Sequence, residues 1–179
     1  MIVSERRLPH WDAVGAAVFV TFRLHGSLPA SRHFPAQTVT GGKAFVSMDR
    51  ILDEARTGPR FLSMPAIAEL TIAAICREKH YELHAFVVMA NHVHLLVTPH
   101  VPNPRWLGPL KGIVAYEANR ILGRRGTPFW QDESYDHMVR SGDEFSRIRG
   151  YIENNPVKAG LVETAEQYPW SSACKNAAA

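Results

Sequence analysis

With 179 residues and 46% hydrophobic composition, the chain suits one domain, 1–179, with a real core. No apolar run approaches membrane-spanning length and the N-terminus has no signal-peptide core; two cysteines, Cys76 and Cys174, lack metal-finger or CxxC spacing, which argues against a disulfide framework and fits a reducing cytoplasm. A formal charge of +3 and a pI near 9.0 permit a polyanionic partner without establishing one.

An N-terminal arm (about 1–12) comes first, basic and aromatic from Arg6 to Trp11 and interrupted at Pro9. It reads as a solvated segment, with Arg6 and Arg7 as candidate phosphate contacts. Ala16 to Leu24 is rich in β-branched and aromatic residues and predicts a strand. Arg23, near its end, is either a phosphate ligand or an edge charge.

Residues of about 25–62 form an insertion, looplike to about 45 because of its Gly, Pro, Ser and Thr content. Phe45 to about Ala55 then predicts a helix, with Asp49, Asp53 and Glu54 assigned to a solvated face. Ser63 is the expected N-cap of the next helix, with Pro65 in its first turn and Ile67, Leu70, Thr71, Ala74 and Ile75 on its buried face.

Tyr81–Met89 and His92–Thr98 predict an antiparallel pair turning at Ala90-Asn91. Alternate residues of a strand share a face, so His92 and His94 stand side by side while Val93, Leu95 and Val97 face the other way. Burying adjacent imidazoles is costly unless something satisfies them, either backbone and side-chain hydrogen bonds or a divalent metal.

Trp106 to Leu122 predicts an amphipathic helix with Leu107, Leu110, Val114, Ala118 and Ile121 on one face. Lys111, Arg120, Arg124 and Arg125 lie on it or just beyond. They are either a solvated helix end or contacts to a nucleic-acid backbone. Phe129 and Trp130 follow a Gly-Thr-Pro turn and read as packing plugs. Asp136 to Arg140 predicts a fourth strand, on which His137 is a possible accessory residue and Arg140 a possible phosphate contact. The last helix starts at Gly142 with Asp143 as expected N-cap and stops near Asn155, because Pro156 disfavours helical backbone before it. Tyr151 and Asn155, four apart, share a face of that helix. The tail, about 160–179, carries a packed turn at Tyr168–Ser172.

A tyrosine becomes an effective nucleophile toward phosphorus when a cation offsets the charge on the transferring group and leaving oxygen. A cation held by His92 and His94 would do so, and Asn155 offers an amide oxygen suited to Mg²⁺ or Mn²⁺. The competing tyrosine, Tyr116, has a cationic Arg120 at i+4 instead.

The segments from Val88 to Pro99, Phe129 to His137, Tyr151 to Val162 and Trp170 to Ala173 resemble the REP-associated tyrosine transposases, part of the His-hydrophobic-His single-tyrosine superfamily. Leu8-Pro9-His10-Trp11 and Phe19 to Leu24 are also similar to that family; the match is weakest over about 30–62. The resemblance implies an α+β, ferredoxin-like sandwich: an antiparallel sheet of four or five strands with helices packed on it. It also implies Tyr151 as nucleophile forming a covalent 5′-phosphotyrosine, His92 and His94 as metal pair, and Asn155 as third ligand. Hairpin-forming and single-stranded DNA are the implied partners, Lys158 joins the candidate phosphate contacts, no organic cofactor is expected, and a monomer is expected over a dimer. The alternative is a relative that binds hairpins without cutting. A His-x-His metallohydrolase is disfavoured, since Leu95 and Leu96 follow the pair where further ligands belong.

Overall fold

A computed structural model describes residues 14–28, 49–54 and 57–174. Arg6, Arg7 and the whole segment 29–48 therefore lie outside the described residues. Among the described residues there are four strands: β1 Val18–Arg23, β2 Tyr81–Val88, β3 His92–Pro99 and β4 Tyr135–Met138. They form one antiparallel sheet in the order β2-β3-β1-β4. Helical residues 49–54 (α1) precede a 3₁₀ turn at Phe61–Ser63, followed by α2 Pro65–Arg77, α3 Asn103–Ile121 and α4 Gly142–Lys158. The connections β1-α2-β2 and β3-α3-β4 are split crossovers, each straddling one strand. That is the ferredoxin-like arrangement that the family resemblance implies.

Strand alternation divides the apolar residues into two layers. Val20, Phe22, Phe86, Val88, Val93, Leu95 and Val97 face α2 and α3 and bury Ile67, Ile75, Trp106, Leu110 and Val114. Phe19, Ala85, Val87 and Leu96 face the other side, where Leu52 of α1 and Ile152 of α4 complete a smaller core. His92 and His94 belong to this second face. Phe129 and Trp130 are buried and pack edge to face on each other at 4.9 Å, so both are packing plugs. The sheet's β2 edge is covered by the C-terminal turn: Val88 N donates to Trp170 O and Ser172 N to Phe86 O, both at 2.9 Å. Tyr168 locks that turn by donating its hydroxyl to Val88 O at 2.9 Å.

Several helix boundaries differ from the sequence expectation. Met64, not Ser63, caps α2; Ser63 lies in the 3₁₀ turn and donates its hydroxyl to Arg60 O at 2.7 Å. The cap of α4 is Ser141 rather than Asp143, its Oγ accepting from Glu144 N at 3.1 Å. Helix α3 begins at Asn103, because Pro104 sits in the first turn, where a missing N–H is harmless. Trp106 Nε1 donates back to Asn103 Oδ1 at 3.1 Å. Ile121, expected on the buried face of α3, is 46% exposed in the helix's last turn. The fourth strand ends at Met138, leaving Arg140 in the connection, where its N–H bonds Glu144. Most consequentially, α4 does not stop at Asn155 but runs through Pro156 to Lys158.

Candidate active site

The site lies where the second face of the sheet meets α1 and α4. His92 and His94 are fully buried, as is Asn155, and Asp49 is only 1% exposed. Their elements are far apart in sequence, and the register brings them together. Across β1 and β3, Thr21 pairs with His94 and Arg23 with His92. Thr21 Oγ1 and His94 Nδ1 share a 2.7 Å hydrogen bond. His92 Nδ1 bonds Asn91 Oδ1 at 2.7 Å, and Asn91 Nδ2 donates to Leu52 O at 3.1 Å.

This second bond fixes a tautomer. Leu52 O only accepts, so the Asn91 nitrogen faces it and Asn91 Oδ1 faces the imidazole. Nδ1 of His92 must then carry the proton, leaving Nε2 with a bare lone pair. Burial, reinforced by the adjacent His94, pushes the His92 pKa down to about 3, so the ring is neutral. The bare Nε2 lies 3.7 Å from Asp49 Oδ1 and 3.6 Å from Asp53 Oδ1. His94 Nε2 lies 3.0 Å from the same Asp49 oxygen.

Asp49, His92 and His94 thus offer three ligand atoms within 4.8 Å of one another. His92 Nε2, Asp53 Oδ1 and Asn155 Oδ1 are buried without a hydrogen-bond partner among the described residues, and Asp49 Oδ1 meets His94 Nε2 at 3.0 Å. The three unpartnered atoms are all acceptors. Leaving such an atom unsatisfied costs about 1–3 kcal/mol each, and a single cation can satisfy several acceptors at once. The residues present therefore fit a divalent metal, with two imidazoles, a carboxylate and an amide oxygen as donors. Burial pushes the Asp49 pKa up, but His94, His92 and Lys158 outweigh it and hold the carboxyl below its ordinary value. Asp53 moves the other way, raised by burial and then by the charge of Asp49 to about 7.

Tyr151 is packed against this centre. Its ring centroid is 5.9 Å from that of His94, and it meets Phe19 edge to face at 6.2 Å and 89°. Its hydroxyl oxygen is buried. Four residues on, Asn155 Nδ2 donates to Asp49 Oδ2 at 3.4 Å. One more turn along, Lys158 Nζ lies 4.7 Å from the Tyr151 ring centroid. Tyr116, by contrast, is 62% exposed, on a helix packed against the opposite face.

The sequence reading missed Asp49 and Asp53, assigning both to a solvated face. Their i, i+4 spacing puts them on one side of α1, and that side is turned into the protein. The spacing was the available signal, since two carboxylates on one helical face are a ligand pattern as well as a solvated one.

The basic candidates disperse. Arg23 shares the face of Thr21 and donates to Ser27 Oγ at 3.2 Å. Lys111 is a clamp, its Nζ donating to Gln131 O at 2.8 Å. Arg120 pairs with Glu117 at 2.8 Å, and Arg124 stacks over Phe61 at 4.7 Å. Arg125 and Arg140 are exposed. His137 bonds Glu144 at 2.8 Å, tying β4 to the start of α4.

The sequence profile of a family described as "Transposase IS200 like" matches residues 65–155, just over half of the chain. A REP-associated tyrosine transposase of Escherichia coli K12 is 26% identical over 107 residues, 56% of this chain and 59% of that one. A curated relative from Haemophilus influenzae Rd is 25% identical over 109 residues, 54% of this chain and 61% of its own. The chain thus matches about three-fifths of the length of these relatives. A solved structure, described as a REP-associated tyrosine transposase bound to a REP hairpin, superposes with a TM-score of 0.57 at 19% identity. It covers 95% of this chain and 82% of the other, a likeness of fold. No helix among the described residues is long and apolar enough to cross a membrane.

Proposed function

The chain belongs to the IS200-like transposase family, and we propose that it is a metal-dependent endonuclease and strand transferase for hairpin-forming single-stranded DNA. The observation that carries this is the bare Nε2 of His92 facing Asp49, with Tyr151 packed against the neighbouring His94. The E. coli relative's name and the REP hairpin held by the solved relative support repetitive palindromic DNA as the substrate class.

Tyr151 is the nucleophile. Its hydroxyl oxygen bonds to phosphorus, the P–O3′ bond breaks, the phenolic proton is lost and the departing 3′ oxygen takes one up. The bond energy stays in a 5′-phosphotyrosine, which a second 3′-hydroxyl reverses, so no nucleotide cofactor is needed. A Mg²⁺ or Mn²⁺ ion held by His92, His94 and Asp49, with Asn155 as a further donor, would offset negative charge on the phosphoryl oxygens and the leaving oxygen. Asn91 and Thr21 hold the imidazoles in place, and Phe19 holds the tyrosine ring. Nucleophile and ligands come from one chain, which supports a monomer as the working unit.

The test is adduct formation on hairpin oligonucleotides with single-stranded flanks, in Mg²⁺ or Mn²⁺, comparing wild type with Tyr151→Phe. A covalent protein–DNA species in the wild type alone is expected. Binding without an adduct in either protein, across a panel of palindromes, favours the non-cutting hairpin binder and overturns the proposal.

A further inference from the structure

Tyr151, Asn155 and Lys158 occupy positions i, i+4 and i+7 of α4, one stripe along the helix. The third member reaches the stripe only because the helix continues past Pro156. That last turn is fixed in a specific way. Gly160 adopts φ +71°, its N–H donates to Val157 O, and Leu161 N–H donates to Pro156 O, both at 2.9 Å. This is a Schellman closure, which satisfies the end carbonyls and needs a left-handed residue that glycine supplies without strain.

The closure holds Lys158 with its ammonium 4.7 Å from the centre of the Tyr151 ring. Its charge acts on Asp49 and Asp53 together, lowering the pKa of each. It is exposed and makes no direct ion pair among the described residues. A phosphodiester entering here meets a floor that carries two carboxylates, so it requires positive charge on its open side as well as at the floor.

We propose that Lys158 grips a non-bridging oxygen of the scissile phosphate above Tyr151, making it a catalytic residue additional to the nucleophile and the metal ligands. This rests on the strand-transfer reading above. Forming the Oη–P bond while the P–O3′ bond breaks concentrates charge on the non-bridging oxygens, and a flexible ammonium follows that charge as a point donor. Leaving the ring face costs little, since an exposed cation–π contact is weak beside a charge-assisted bond to phosphate.

The experiment compares Lys158→Met and Lys158→Arg with wild type in single-turnover adduct formation on a hairpin oligonucleotide at saturating Mn²⁺. Mn²⁺ affinity is measured separately by calorimetry on the DNA-free proteins. Lys158→Met should slow adduct formation by about 10²-fold, and Lys158→Arg should recover most of it. Mn²⁺ should bind Lys158→Met as tightly as wild type or more tightly, because a like charge has left the carboxylates. An adduct rate in Lys158→Met equal to wild type overturns the proposal. So does weaker Mn²⁺ binding in Lys158→Met, or failure of Lys158→Arg to recover, since either marks a structural role. A wild type that forms no adduct overturns the strand-transfer reading itself, a result distinct from these.

Discussion

The side-chain oxygen of Asn91 accepts the Nδ1 proton of His92 at 2.7 Å, and this one bond sets which nitrogen of His92 faces Asp49. The residue that turns the β2–β3 hairpin is therefore also the one that leaves Nε2 of the imidazole bare toward Asp49. Asn91→Ala should lower Mn²⁺ affinity by roughly 10- to 100-fold, the usual cost of losing an outer partner of a ligating histidine. Calorimetric titration checks this, and an unchanged affinity would show that packing alone orients the ring.

Asp49 is the carboxylate shared by both imidazoles, at 3.0 Å from His94 Nε2 and 3.7 Å from His92 Nε2. Asp49→Ala should weaken Mn²⁺ binding more than Asn91→Ala does, because it removes a donor rather than a donor's support. Adduct formation should fall in parallel. A variant that binds Mn²⁺ like wild type would leave His92, His94 and Asn155 as the ligand set.

Asp53 gives the metal-free protein a pH signature. Its pKa is raised by burial, then by Asp49, to about 7. The sign follows from linkage: the unfolded carboxyl ionises near its ordinary value, so the folded state is penalised progressively as pH rises from there through about 7. Asp53→Asn should raise the melting temperature of the metal-free protein at pH 8 and leave it nearly unchanged at pH 4. Cation binding should also release a proton at pH 6 and almost none above pH 8, read by calorimetry in buffers of different ionisation enthalpy. Proton release in Asp53→Asn equal to wild type would assign the proton elsewhere.

Lys111 and Arg125 were equal candidates for DNA contact in the sequence, and the structure separates them. Lys111 Nζ is spent on the Gln131 carbonyl, and burial, partly opposed by Asp132, lowers its pKa to about 8. Lys111→Met should alter thermal stability and leave the salt dependence of DNA binding unchanged. Arg125→Ala should do the reverse, reducing the log–log salt slope by about 1 if it meets a phosphate. Equal effects on the slope would restore Lys111 as a DNA contact.

Local regularities were legible in the sequence. Period-two alternation put His92 and His94 on one face, the 3.6-residue period put Asn155 under Tyr151, and β-branched runs marked β1, β2 and β3. These follow from the geometry of a single element, which its own residues set. Helix ends were less legible: Pro156 signals a stop, yet the turn after it is held by Gly160 and by packing that the local signal does not contain.

Tertiary structure alone decided what α1 contributes. Nothing local distinguishes a solvated Asp49 from a buried one. Only the sheet order β2-β3-β1-β4, and the packing of Leu52 and Ile152 on its second face, carry Asp49 to the histidines and to Asn155, 106 residues away in the chain. Long-range pairing is settled by which surfaces bury together, and that is a property of the whole chain rather than of any window within it.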